Sequence, residues 1–256
     1  MAWLNGRPRI AATVMLTMAL ALGLAGCAVP GISGDGKPGT SNAAGTGDTS
    51  AQKGPASTLY EADENGRLAS SLPAYIDEVL NDPYVDDYER PILEQAKKEG
   101  RVSTAAYEKV WSDYKTCMVD RGFKEPKLER FPNGMMDIMS HMPGTDAQEE
   151  AWKDAYTDCY LRFDHVQRLY GQQQGNPNLY ANVEEAVVDC MKREGVVPAS
   201  YTVKDFNDGQ TLLQTEGFTD AKDKLSYDFN DSRVHGCKAA QGWSSSSTND
   251  PVEYIW

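Results

Sequence analysis

Four thioethers and one imidazole fall within the eight residues Met135-Met136-Asp137-Ile138-Met139-Ser140-His141-Met142. Soft sulfur donors beside an imidazole suit Cu(I) or Ag(I), so Met135, Met136, Met139, His141 and Met142 are the candidate metal ligands of this chain. Methionine also fills irregular apolar gaps, and the position of this run in a long loop between two helices favours that role. The remaining chemistry-bearing types are scattered. His141, His165 and His235 stand far apart, and no Gly-rich phosphate loop, Gly-x-Ser-x-Gly or His-Glu-x2-His occurs. No catalytic residue can therefore be assigned, and no cofactor is implied, although distant residues can converge in any fold. Acidic clusters at Asn81-Asp82, Asp86-Asp87 and Asp205-x-Asn207-Asp208-Gly209 invite a calcium reading. The last departs from an EF-hand loop: its Gly comes one position early and no Glu stands at the twelfth place. Helix caps and turns are the expected role of all three.

The chain opens with Arg7 and Arg9 and then runs uncharged from Ile10 to Leu24, the order of a secretory leader and too short to span a bilayer comfortably. It ends in Leu24-Ala25-Gly26-Cys27, which resembles the lipobox of bacterial lipoproteins. That resemblance implies removal of residues 1–26, acylation (palmitate) of Cys27, and anchoring on the extracytoplasmic face of a bacterial membrane. The alternative is an ordinary secreted protein in which Cys27 is free or pairs with another thiol. Pro8 separates the two arginines, so the general export route is expected. Residues 27–57, as in GISGDGKPGTSNAAGTGDTS, hold almost nothing bulky and apolar. They read as a flexible tether with a typical reach of about 30 Å.

Losing the leader removes two positive charges and no negative ones, so the formal charge of -13 becomes -15. Such a surface repels phosphate backbones, and Lys97-Lys98 is the longest basic cluster; nucleic acid is set aside as a partner. In an exported chain, Cys117, Cys159, Cys190 and Cys237 form an even set that reads as two disulfides. A zinc site would use closely spaced pairs, whereas these cysteines lie tens of residues apart.

Helical periodicity positions these residues. Ser103 reads as an N-cap before Tyr107, Val110, Trp111, Tyr114, Cys117 and Met118, with Gly122 at the C-terminal end. Thr145 and Gln148 have capping-box spacing ahead of Trp152, Tyr156, Cys159, Phe163, Val166 and Tyr170, a stripe expected to stop at Gly171. Asn176-Pro177 is read as opening a third helix through Val183, Val187 and Cys190 to Gly195, and Thr219 as opening a fourth that reaches Cys237. An earlier helix spans Asp87 to Glu99, and no run alternates clearly as a strand would. The pattern Tyr-x2-Val-x6-Cys-Met-x3-Gly occurs twice, at Tyr107 to Gly122 and at Tyr180 to Gly195. Each copy precedes a further cysteine, which suggests two related units and favours Cys117–Cys159 and Cys190–Cys237 among three connectivities.

The expected architecture is all-α, with two helical units, 58–172 and 173–243, each closed by one disulfide. Residues 244–256 follow as a polar tail with the apolar end Tyr254-Ile255-Trp256. The segment Leu93 to Phe123, with Val102-Ser103, Tyr107, Cys117-Met118 and Gly122, resembles recurrent lipoproteins of actinobacterial cell envelopes, some of which are linked to export or efflux machinery. The resemblance carries over no catalytic residue. It implies a fold and a compartment more than an activity; with no catalytic motif in view, the expected function is a non-catalytic binding or accessory protein whose partners are the membrane, through its lipid, and an envelope complex, or a glycan or peptide held by the Tyr and Trp side chains along the helices. The rivals are a hydrolase of envelope polymers and a Cu(I)/Ag(I) carrier using the Met-rich loop.

Overall fold

The computed structural model describes Leu59, residues 61–243 and residues 252–256. The leader, Cys27, the tether and the polar run at 244–250 lie outside the described residues. The described chain is mainly helical, with a single two-stranded sheet among those residues. Helix α1 (Leu72–Asn81) is capped by the Ser71 hydroxyl, and α2 (Arg90–Glu99) starts on Pro91 and ends at left-handed Gly100. Helix α3 (Thr104–Asp120) begins at Ser103, whose hydroxyl accepts from Ala106 N–H. Its buried face, Tyr107, Val110, Trp111, Tyr114 and Met118, is the centre of the first core.

The long loop that follows contains an antiparallel hairpin, β1 (Leu128–Arg130) with β2 (Met136–Ile138), which pairs Arg130 with Met136 and Leu128 with Ile138. Its turn is built on Asn133-Gly134: Gly134 takes φ +85° and the Asn133 side chain accepts from Met135 N–H at 3.2 Å. Periodicity could not reveal three-residue strands, but Asn-Gly between apolar residues was the available cue.

Helix α4 (Asp146–Tyr160) carries the expected Thr145/Gln148 capping box. The stripe after it is not one helix: a 3₁₀ turn at Leu161–Phe163 redirects the chain into α5 (Asp164–Gly175). That helix runs through Gly171 rather than stopping there. A Cβ at Gly171 would overlap the Ala240 carbonyl, and one at Gly175 the Ala240 side chain, so both glycines serve close packing.

Asn176-Pro177 forms a turn and not a helix start. The buried Asn176 amide donates to Gln172 Oε1 and the Tyr180 carbonyl, while its Oδ1 accepts from Tyr180 N–H. Helix α6 (Val183–Arg193) begins later, capped by Asn182, and ends just before left-handed Gly195. Helix α7 (Val203–Glu216), which no apolar period announced, occupies the segment of the last acidic cluster and opens on a Thr202/Asp205 capping box. The expected fourth helix is broken. A short α8 (Phe218–Ala221) and a 3₁₀ turn precede a loop, and α9 (Ser232–Ala239) restarts on an Asp231 cap.

Both disulfides are those expected. Cys117–Cys159 ties α3 to α4, and Cys190–Cys237 ties α6 to α9, with Cα separations of 5.8 and 5.6 Å. The second core gathers Val187, Met191, Phe206, Val234 and the Cys190–Cys237 pair. Leu179, Ala239 and Ala240 pack with the first core, although they lie beyond residue 172. Among the described residues no helix is long and apolar enough to cross a membrane.

Candidate functional site

Beyond the hairpin, the two chains stay joined by Met139 N–H donating to the Lys127 carbonyl at 3.2 Å, and then part. Residues 252–256 lie between them. Glu253 N–H donates to the Ser140 carbonyl at 3.0 Å, and Met142 N–H donates to the Glu253 carbonyl at 2.7 Å, in parallel register with His141. From the opposite wall, Lys124 N–H donates to the Ile255 carbonyl at 3.0 Å. The Glu253 carboxylate reaches the fork itself and accepts from Lys127 N–H at 2.9 and 3.2 Å.

Side chains alternate as a strand requires. Glu253 and Ile255 are buried, whereas Val252 and Tyr254 face solvent, the latter 67% exposed. Trp256 Nε1 donates to the Met142 carbonyl at 3.0 Å, and its ring lies 5.9 Å from Phe123 and 5.5 Å from His141. A Cβ at Gly144 would stand 2.7 Å from that indole, so the absent side chain is what lets Trp256 in. This wall is braced from behind. Glu149 accepts from Gly144 N–H at 2.7 Å and lies 3.3 Å from His141 Nε2. The Gly144 amide first and then His141 hold the Glu149 carboxyl below its ordinary range. His141 also packs against Trp152, at 4.6 Å between ring centres, and Trp152, Tyr156 and Tyr160 stack along α4 at 5.2 and 5.0 Å.

The arrangement holds residues 252–256 as extended main chain in one direction, with seats for an acid, an aliphatic residue and an aromatic ring. Its geometry is that of a strand added beside an open edge. Sequence reasoning noted the apolar end Tyr254-Ile255-Trp256 without its destination, because pairing over more than a hundred residues leaves no local pattern.

The five candidate metal ligands are placed differently from one another. Met135 is fully buried and Met136 nearly so, both in the first core, with Met136 N–H donating to Tyr107 Oη at 3.0 Å. Met139 is half-buried beside the fork, Met142 is among the exposed residues, and His141 pairs with Glu149. Thus the hairpin turns two thioethers into the core and leaves the others along the groove. Among the described residues, no group of three or more His, Cys, Asp or Glu is gathered so as to hold a metal ion.

The other histidines sit in separate surroundings. His235 lies between the rings of Phe131 and Phe229. His165 is buried between two carboxylates: Nδ1 is 2.5 Å from Glu89 Oε1 and Nε2 is 3.4 Å from Asp82 Oδ1. Burial opposes its charged form, but the hydrogen bond and charge of Glu89, with Asp82, outweigh this and raise its pKa. Glu89, fully buried, also accepts from the main-chain N–H of His165, Val166 and Asp86, so it fastens the start of α5 to α2. Lys238 is buried against the Phe229 ring, and burial lowers its pKa to about 8. The acidic clusters act locally: Asp82 and Asp86 accept from main-chain amides two residues on, Asp205 caps α7, and Asp208 pairs with Lys204. Compared with known proteins, the chain matches no family model, no curated protein and no solved structure.

Proposed function

We propose that this is a lipid-anchored, non-catalytic binding protein of a bacterial cell envelope, which captures extended polypeptide through the groove between Lys124–Lys127 and Met139–Gly144. The observation that carries this reading is the docking of Val252–Trp256: main-chain hydrogen bonds from both walls, a seat for a carboxylate, a buried aliphatic site and a glycine-floored seat for an indole. Main-chain pairing supplies affinity and the alternate side-chain seats supply selectivity. A peptide rather than a glycan is the ligand this reading favours, since the main-chain groups of Lys124, Ser140 and Met142 bond main-chain partners of the docked strand and Lys127 N–H bonds its acidic side chain. The address rests on Leu24-Ala25-Gly26-Cys27, and association with an export or efflux complex follows the actinobacterial resemblance.

Two measurements test the two halves. Cys27→Ser should move the protein from the membrane to the soluble fraction or leave the precursor uncleaved; unchanged membrane retention without acyl mass on the mature N-terminus contradicts the anchor. Calorimetric titration of the pentapeptide Val-Glu-Tyr-Ile-Trp into protein lacking residues 252–256 should show saturable binding at one site. The intact protein should bind it far more weakly, because a short connection keeps its own strand at an effective concentration of about millimolar. Absence of binding to the shortened protein contradicts the groove.

A further inference from the structure

Resting on that reading of the groove, we propose that the Cys117–Cys159 disulfide is a thiol-exchange site, at which a low-molecular-weight thiol opens the bond and so weakens the groove's hold on its strand. The two staples differ in access. Cys190 and Cys237 are 1 and 0% exposed in the second core. Cys117 is only partly buried and, with Cys159, lines a cleft open to solvent beside Tyr88, Asp113 and Arg162. Cys159 itself is buried, so an incoming thiolate meets Cys117 Sγ. A new S–S bond forms there, the Cys117–Cys159 bond breaks, and the electron pair leaves on Cys159 Sγ, which takes a proton from water. A second thiol then displaces the first as its disulfide, so two thiols are oxidised for one staple reduced. Arg162 lines the same cleft and favours the departing thiolate, while the opposing charge of Asp113 is engaged by Lys109.

The consequence for the groove passes through α4. The fully buried residues of that helix are Ala155 and Cys159, and Trp152, Tyr156 and Tyr160 are only partly buried. Its Asp158–Arg121 ion pair is about half exposed on both sides, a kind of contact that adds little. The staple is therefore a principal tie between α4 and α3. The same helix braces the groove wall: Thr145 caps it, Glu149 holds Gly144 N–H and stands beside His141, and Trp152 packs on the His141 ring. With the bond open, α4 is free to shift from α3, and the wall at His141 and Gly144, where Trp256 sits, loosens with it.

The test treats the detergent-solubilised full chain with dilute dithiothreitol, alkylates it with iodoacetamide and maps the product by mass spectrometry. Cys117 and Cys159 should be alkylated while Cys190 and Cys237 stay joined. In that state hydrogen exchange at the Lys124 and Met142 amides should quicken at least about tenfold, while amides within α6 keep their protection. Opening of both staples together, or of neither, overturns the exchange site. Selective opening with Lys124 and Met142 unchanged refutes control of the groove and leaves the groove standing. An equal loss across α6 also overturns the proposal, since the body would have unfolded. If those two amides are unprotected even in the oxidised protein, the groove reading falls and its control with it. The joint variant Cys117→Ser and Cys159→Ser, which needs no alkylation, should show the quickened exchange with or without reductant; rates like those of the oxidised parent contradict the proposal.

Discussion

Replacing Ile255 by alanine separates the docked strand from the body it docks on. Ile255 is 4% exposed, and its carbonyl is held by Lys124 N–H. Truncating a buried isoleucine to alanine costs about 2–5 kcal/mol. A strand held by few main-chain bonds can settle into part of the void, which places this site near about 2–3 kcal/mol, or about a 30- to 150-fold shift in the docking equilibrium. The amides of Lys124 and Met142 report that equilibrium directly, since each donates to a carbonyl of the docked strand. Hydrogen exchange followed by NMR should show their protection falling by about that factor, while amides within α3 and α6 keep theirs, as expected for local rather than global opening. Unchanged protection at Lys124 and Met142 refutes the reasoning. So does an equal loss across α3 and α6, because the strand would then be part of the global fold rather than a separable element.

Replacing Cys117 and Cys159 together by serine, or Cys190 and Cys237 together, should lower stability by about 2–4 kcal/mol per pair, read as the urea midpoint; loss of one pair with no change in midpoint contradicts the staples' role. His165, whose pKa is raised by Glu89 and Asp82, stabilises the fold in its charged form. That contribution is complete below about pH 6.5, the value of a free imidazole, and is lost as pH rises through the higher folded value. Stability measured in urea should therefore decline on the alkaline side. Glu89→Gln should abolish this slope and cost about 3–5 kcal/mol by breaking a buried pair; a slope that persists in Glu89→Gln assigns it elsewhere. Gly171→Val should destabilise by more than about 2 kcal/mol, since the new side chain meets the Ala240 carbonyl; a melting temperature within a degree of the parent's would contradict that packing. Cu(I) or Ag(I) added against a competing chelator should show no tight stoichiometric uptake, because Met135 and Met136 are core residues; uptake lost on joint replacement of Met139 and His141 would make metal handling the leading function.

What could be read in advance was what is written locally. Ser103, Thr145 and Gln148 announce helix starts through side chains that bond their own first turns, and the period of α3 follows from a buried aromatic face. The cysteine pairing followed from the repeated Tyr-x2-Val-x6-Cys-Met-x3-Gly helix. Errors arose where one residue type serves two physical ends. Gly171 looks like a helix stop but is a packing contact, and Asn176 before Pro177 looks like a cap but braces a turn through Gln172 and Tyr180. Asp205 looks like a loop ligand but caps α7, whose single fully buried residue, Phe206, leaves too narrow an apolar stripe to read. The groove was least legible. Its walls are irregular chain at 124–127 and 139–144, its floor is one glycine, and its occupant comes from the far end of the sequence, so only its parts, the Met-His run and the apolar terminus, stood out.

The central claim is tested most directly by adding Val-Glu-Tyr-Ile-Trp to isotope-labelled protein lacking residues 252–256 and following amide shifts. Saturable perturbation of Lys124, Lys127, His141, Met142 and Gly144, reversed in the intact protein by its own strand, is the predicted result. Binding that leaves those five amides unmoved, or shifts that gather on another face, would contradict it.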